Sequence, residues 1–124
     1  IVKQKLGPDG IMSVQAEPSE WKNLDNFTAI VNTLRKVFSK ARPYQVHVPS
    51  FLGLWGFVAA SQSLDPSELT PEEIDARISK RISKKLKSYD GLTHQAMFTI
   101  PKHIRQQLAA GKKIITDKQP ISAY

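Results

Sequence analysis

Hydrophobic positions along the chain change period several times, and each change marks an element. Ile1 to Leu6 has the pattern of a short helical stub. Gly7-Pro8-Asp9-Gly10 then predicts a turn, since Pro presets φ and Gly accepts positive φ. Ile11 to Ala16 is short and mostly apolar, as a buried strand is. Trp21, Leu24, Phe27, Ile30, Val31, Leu34, Val37 and Phe38 recur at helical spacing. They predict a helix over 23–39, capped by Asn23 or Ser19 and closed by Arg42-Pro43.

Tyr44 to Val48 alternates at period two, and Leu54 to Ala60 is almost continuously apolar. Both predict strands. The five residues between them are too few for a parallel crossover, so the pair is predicted antiparallel. The preceding strand, helix and strand should form a right-handed parallel unit. Residues 64–69 form a polar linker. Thr70-Pro71-Glu72-Glu73 combines an N-cap, Pro at N1 and Glu at N3. It opens a predicted helix over 71–88 that buries Ile74, Ile78, Ile82 and Leu86 and is broken by Tyr89-Asp90-Gly91. A short strand over 96–100 and a last helix over 101–110, with Gly111 as its C′ residue, complete the pattern.

The order β-α-β-β followed by helices belongs to an α/β fold. Three strands are a thin sheet, so we expect the far end of a larger mixed sheet whose first strands lie outside this chain. The opening Ile1-Val2-Lys3 supports a piece of something longer. The expected division is an α/β part over 1–63 and a helical basic extension over 64–124.

Composition adds one asymmetry. The 124 residues carry a formal charge of +7. Residues 1–75 hold 7 Lys/Arg against 9 Asp/Glu, a net of −2, and residues 76–124 hold 11 against 2, a net of +9. A basic tail half suits an acidic partner, and it suits equally a solvated helix face. No apolar run approaches the ~20 residues of a membrane helix. With no cysteine, thiol nucleophiles, disulfides and Cys-ligated zinc are excluded.

The sequence has no GxGxxG or Walker loop, no HExxH and no DxDxDG. His47, His94 and His103 lack ligand spacing, and no metal site is expected. Two groups of residues stand out. Gln15 ends a predicted parallel strand, where ligands of open α/β sheets bind, and the Glu17 carboxylate after it suits an amine. Either residue could equally be a polar turn position. Pro49-Ser50-Phe51 with Trp55-Gly56-Phe57 could wall a pocket for an aliphatic chain, or simply be sheet core.

These segments resemble the polyamine aminopropyltransferases, the spermidine and thermospermine synthases. Leu6-Gly7-Pro8-Asp9-Gly10-Ile11 resembles the turn before that family's fifth strand, and Gln15-Ala16-Glu17-Pro18 the segment after it. Val46-His47-Val48-Pro49-Ser50-Phe51, running into Trp55-Gly56-Phe57-Val58-Ala59-Ala60-Ser61, is the most specific match and is closest to plant and algal thermospermine synthases. Leu69 to Ile78 and Tyr89-Asp90-Gly91 continue it, so the likeness spans roughly residues 1–110.

The resemblance implies the carboxyl-terminal part of a class I methyltransferase-like (Rossmann-like) domain with an antiparallel last strand. It implies transfer of an aminopropyl group from decarboxylated S-adenosylmethionine to a polyamine. By this likeness Gln15, Pro49 and Phe51 are polyamine-binding residues, and the reading of the residues themselves adds Glu17 and Trp55 to that expected set. Thermospermine synthases tend to have Gly where Glu17 stands, which leaves the acceptor open. The family's glycine-rich nucleoside loop, ribose carboxylate and catalytic Asp precede this region. Asp9, Asp25 and Asp65 do not match that Asp, so no catalytic residue and no donor site are expected in this segment. The alternative is a non-catalytic relative serving in a larger assembly. A homo-oligomer or a subunit of a larger complex is expected, without nucleic acid, in the cytoplasm or a plastid.

Overall fold

The computed structural model describes residues 1–20 and 24–122. Trp21 and Asn23 lie outside the described residues. After the four-residue helix α1 (Val2–Lys5), the turn closes through Gly10 N–H donating to the Gly7 carbonyl at 2.9 Å. No glycine among the described residues has positive φ, so Pro8 shapes this turn rather than glycine freedom.

Three strands follow, β1 (Ile11–Pro18), β2 (Lys40–Val48) and β3 (Gly53–Ser61), in the sheet order β1-β3-β2. β2 and β3 are antiparallel, as the short connection requires. β1 is also antiparallel to β3. Hence β1 and β2 run parallel, as a β-α-β unit should, but β3 is inserted between them.

Helix α2 (Asp25–Val37) joins β1 to β2. Phe27 and Val31 are fully buried, and Phe38 is buried just past the helix end. With Ala16, Ala41, Val58 and Ala60 from one sheet face they form the core. Val37 belongs to the predicted stripe but is exposed. Ser19 does not cap this helix: it is wholly buried and bonded elsewhere, and Leu24 occupies the N-cap without a side-chain bond. Arg42-Pro43 does not end the helix either. It lies inside β2, which begins at Lys40. Pro is tolerated there because β2 is an edge strand of the described sheet, where a missing N–H costs no ladder bond.

The second half departs further from the periodicity. Helix α3 (Pro71–Arg81) starts on the predicted capping box: Glu73 N–H donates to Thr70 Oγ1 at 3.2 Å, and Thr70 N–H to Glu73 Oε2 at 2.8 Å. It stops seven residues early. Continued, it would stack Lys80 on Lys84 and Arg81 on Lys85, like charges at i, i+4 that oppose a helix. Of the predicted stripe only Ile74 is buried, while Ile78 and Leu86 are half-covered and Ile82 is 42% exposed. The surrounding Lys and Arg side chains face outward, as expected.

The strand predicted over 96–100 is absent. Helix α4 (Gly91–Phe98) covers most of it, N-capped by Asp90, whose Oδ1 accepts the Thr93 N–H at 2.8 Å. A short apolar run does not distinguish a strand from a buried helix turn, and here the cap decides. Helix α5 (Lys102–Ala110) follows, and Ile100, Ile104 and Leu108 complete the core. Gly111 has φ −66 and is not a left-handed C′ residue. It is glycine because the Thr28 methyl group lies where a Cβ would stand. Among the described residues no helix is long and apolar enough to cross a membrane.

Candidate functional site

The carboxyl ends of the parallel strands β1 and β2 meet the start of β3 at one edge of the sheet. This end gathers the residues singled out in the sequence. Gln15 makes the last regular pair of the β1–β3 ladder, opposite Phe57. The ladder then breaks. Pro18 pairs with Trp55, so Ala16 and Glu17 stand together against the single Gly56. This is a β-bulge, a device that re-aims side chains where pairing ends.

Gly56 makes the bulge feasible. A Cβ there would lie 2.5 Å from Phe27 Cε2 and 3.2 Å from the Glu17 carbonyl oxygen. Only a bare backbone admits both neighbours. At the bulge Glu17 has φ 70, in the left-handed region that costs an L-residue about 1–2 kcal/mol. Leu52 is the one other non-glycine residue with positive φ among the described residues, at φ 59. It ends the 3₁₀ turn Pro49–Phe51 and is 91% exposed. Both strained positions therefore flank the same sheet end, a pattern typical of functional sites.

Buried hydrogen bonds hold this end in place. Gln45, 8% exposed on β2, donates from Nε2 to both the carbonyl and the hydroxyl oxygen of Ser19 at 2.8 Å each. Ser19 N–H donates to the Leu54 carbonyl at 3.2 Å, and Leu54 N–H to Glu20 Oε1 at 3.2 Å. The segment after the bulge is thus clamped to both neighbouring strands. Gln45 and Ser19 were not singled out by the sequence as site-shaping residues. Gln45 reads there as one more position of an alternating strand, and only the sheet register discloses its partner.

Aromatic rings line the same end. Phe51 packs on Trp55 with centroids 4.6 Å apart. Farther along, Tyr44 stacks on Phe57 at 5.3 Å, and its hydroxyl lies 2.8 Å from Ser13 Oγ. Gln15, Phe57 and Tyr44 form one cross-strand row. Tyr44 is a third residue the sequence reading did not single out. The Trp55 indole N–H is buried and has no hydrogen-bond partner among the described residues.

The Gln15 side chain is exposed and the Glu17 side chain half-buried. Neither makes a side-chain hydrogen bond or ion pair among the described residues, so their oxygens can accept bonds from a ligand. Pro49 and Phe51 are exposed at the turn. Acceptor oxygens beside aromatic faces suit a ligand that alternates amines with apolar spacers. A cavity of about 540 Å³ lies nearby, walled by Pro18, Ser19, Glu20, Gln45, Leu54 and His103, but none of these five expected residues lines it.

The histidines take no part in this end's acceptor set. His94 is buried, with Nε2 2.7 Å from the Pro66 carbonyl and Nδ1 2.7 Å from the Tyr89 hydroxyl. A carbonyl can only accept, so Nε2 carries the proton and Nδ1 accepts from Tyr89. Burial pushes the Tyr89 phenol up. His47 is exposed on β2. Among the described residues no three His, Asp or Glu side chains form a group able to hold a metal ion.

The family model described as the spermine/spermidine synthase domain matches residues 1–72. The polyamine aminopropyltransferase of Sulfurisphaera tokodaii is 45% identical over 119 residues, covering 96% of this chain and 39% of that protein. Polyamine aminopropyltransferase 2 of Hyperthermus butylicus is 43% identical over 120 residues, with 97% and 39% covered. The crystal structure of Thermotoga maritima spermidine synthase superposes with a TM-score of 0.67 at 26% identity, covering 83% of this chain and 35% of that one. A structure of spermidine synthase in complex with the transition-state analogue AdoDATO matches with the same score and identity. The architecture is accordingly part of a class I methyltransferase-like domain, with its antiparallel last strand in β3. The chain spans about two-fifths of the length of the curated relatives it matches.

Proposed function

Because the chain belongs to the spermine/spermidine synthase family, we propose that it is the carboxyl-terminal, acceptor-binding part of a polyamine aminopropyltransferase. The full-length protein would move an aminopropyl group from decarboxylated S-adenosylmethionine to a polyamine amine, acting as a homo-oligomer or within a larger complex. The observation that carries this reading is the strand-end bulge. It sets the oxygens of Gln15 and Glu17, which have no partner among the described residues, at the same sheet end as the Phe51–Trp55 aromatic pair.

The reaction forms an N–C bond and breaks an S–C bond, and the attacking amine must give up a proton. This chain's part is binding and orientation. Gln15 Oε1 accepts a hydrogen bond from one amine, and the Glu17 carboxylate offsets a positive charge along the acceptor. Phe51 and Trp55 cover its methylene spacers, and Pro49 fixes the turn that presents Phe51. A carboxylate that takes the proton and the groups that hold the nucleoside belong to the rest of the protein.

The test is direct. The full-length protein, incubated with decarboxylated S-adenosylmethionine and putrescine or spermidine, should yield the aminopropylated polyamine by mass spectrometry. Turnover with neither acceptor would remove the proposal.

A further inference from the structure

A second cavity lies away from the strand end, at the outer edge of β2. It has a volume of about 370 Å³, within the ~300–1,000 Å³ range of small-molecule sites. Arginines from three elements line it: Arg35 near the end of α2, Arg42 on β2 and Arg105 on α5. Phe98, Ile100 and Leu108 supply an apolar wall. Among the described residues no Asp or Glu lines it.

Arg42 is anchored. Its Nε and Nη2 both donate to Asp65 Oδ2 at 2.6 Å, and the Asp65 side chain is 1% exposed. The Glu68 carboxylate, whose charge also reaches Arg42, pairs with Lys40 at 3.7 Å. Arg35 and Arg105 make no ion pair or side-chain hydrogen bond among the described residues. Two uncompensated guanidinium groups thus converge with a third that is rigidly held. Arg35 is pushed below its usual value, first by burial and then by the charge of Arg42. Unpaired like charges gathered beside an apolar wall attract a negative ligand.

We infer that this cavity binds the phosphate group of a small phosphorylated molecule, with Arg35, Arg42 and Arg105 on the oxygens and Phe98 and Leu108 against the organic body. A carboxylate has two oxygens and one charge and would leave a surplus of arginines. A phosphate dianion presents three oxygens to three planar guanidinium groups. The apolar wall gives an organic body surface to cover, which a free ion would leave bare.

The experiment uses the full-length protein with saturating methylthioadenosine, which occupies any nucleoside site. Inorganic phosphate and phenyl phosphate are titrated calorimetrically at low and high salt. We expect phenyl phosphate to bind, more weakly as salt rises. Arg35→Gln and Arg105→Gln should each weaken it at least tenfold, the loss expected for a charge-assisted hydrogen bond. Both side chains are exposed and make no side-chain bond among the described residues, so folding should survive. Arg77→Gln, on the exposed face of α3, is the control and should bind as the parent does. Tighter phenyl phosphate than phosphate supports the organic phosphate, whereas equal affinities overturn the role given to the apolar wall and leave free phosphate. Absence of binding at millimolar concentrations, or binding unchanged in both arginine variants, overturns the site itself. Aminopropyl transfer is read separately, so neither result depends on the other.

Discussion

Glu17 offers a test in which stability and function move in opposite directions. Its φ of 70 places an L-residue where glycine is preferred, and Pro18 after it biases the position further toward extended backbone. The strain is about 1–2 kcal/mol. Replacing Glu17 by Gly relieves it, but the unfolded chain gains freedom worth ~0.5–1 kcal/mol. The net expectation for Glu17→Gly is a gain of about 0.5–1 kcal/mol in urea unfolding of the full-length protein. If the carboxylate holds an amine, the same change lowers the acceptor kcat/KM. A charged hydrogen bond contributes ~1.5–3 kcal/mol, and the half-buried Glu17 belongs at the low end, so the loss should be about tenfold. Glu17→Gln separates the two effects: it keeps the strained backbone and removes the charge. It should leave stability unchanged and still lose acceptor specificity. A Glu17→Gly variant less stable than the parent would refute the strain. An unchanged acceptor kcat/KM in Glu17→Gln would show that the carboxylate is idle.

Two further outcomes concern the scaffold. Gly56→Ala puts a Cβ 2.5 Å from the wholly buried Phe27 ring and should destabilise by about 1–3 kcal/mol in urea unfolding. A neutral substitution would mean that the ring and the bulge can shift freely. Burial alone would raise the Asp65 carboxyl, but hydrogen bonds from Arg42 and Ser67 together outweigh it and hold it below the usual carboxylate range. Its stabilisation is therefore fully present above about pH 4, the unfolded value, and is lost as pH falls through the lower folded one. Asp65→Asn should flatten that acid limb and cost about 1–2 kcal/mol at pH 7, between exposed and buried ion pairs. An acid limb identical to the parent's would contradict this.

What the sequence disclosed was local. The period of Tyr44 to Val48 and the short gap before Leu54 were enough for the antiparallel pair. The Thr70 capping box marked the start of α3 to the residue. Where a tertiary contact decides, the pattern misled. Pro43 looked like a helix terminator because nothing in the sequence says that β2 lies at a sheet edge. Ala96 to Ile100 looked like a strand, whereas Phe98 ends a helix and packs on Tyr44 with ring centroids 5.2 Å apart. The candidate site was half legible. Gln15, Pro49 and Phe51 stand out by position and chemistry. The bulge, the strained Glu17 and the Gln45–Ser19 clamp depend on register and on the close approach of Phe27 to Gly56, which no spacing discloses.

The central claim is that this sheet end receives the polyamine, and Gln15→Ala tests it most directly. The exposed amide makes no side-chain bond among the described residues, so its loss should leave the fold intact. Steady-state kinetics of the full-length variant, with acceptor and donor varied in turn, separate binding from structure. The acceptor kcat/KM should fall roughly 10–150-fold, as for a lost hydrogen bond to a charged amine, with the KM for decarboxylated S-adenosylmethionine nearly unchanged. An unchanged acceptor kcat/KM, or an equal loss on the donor side, would make Gln15 a structural strand-end residue and contradict the account.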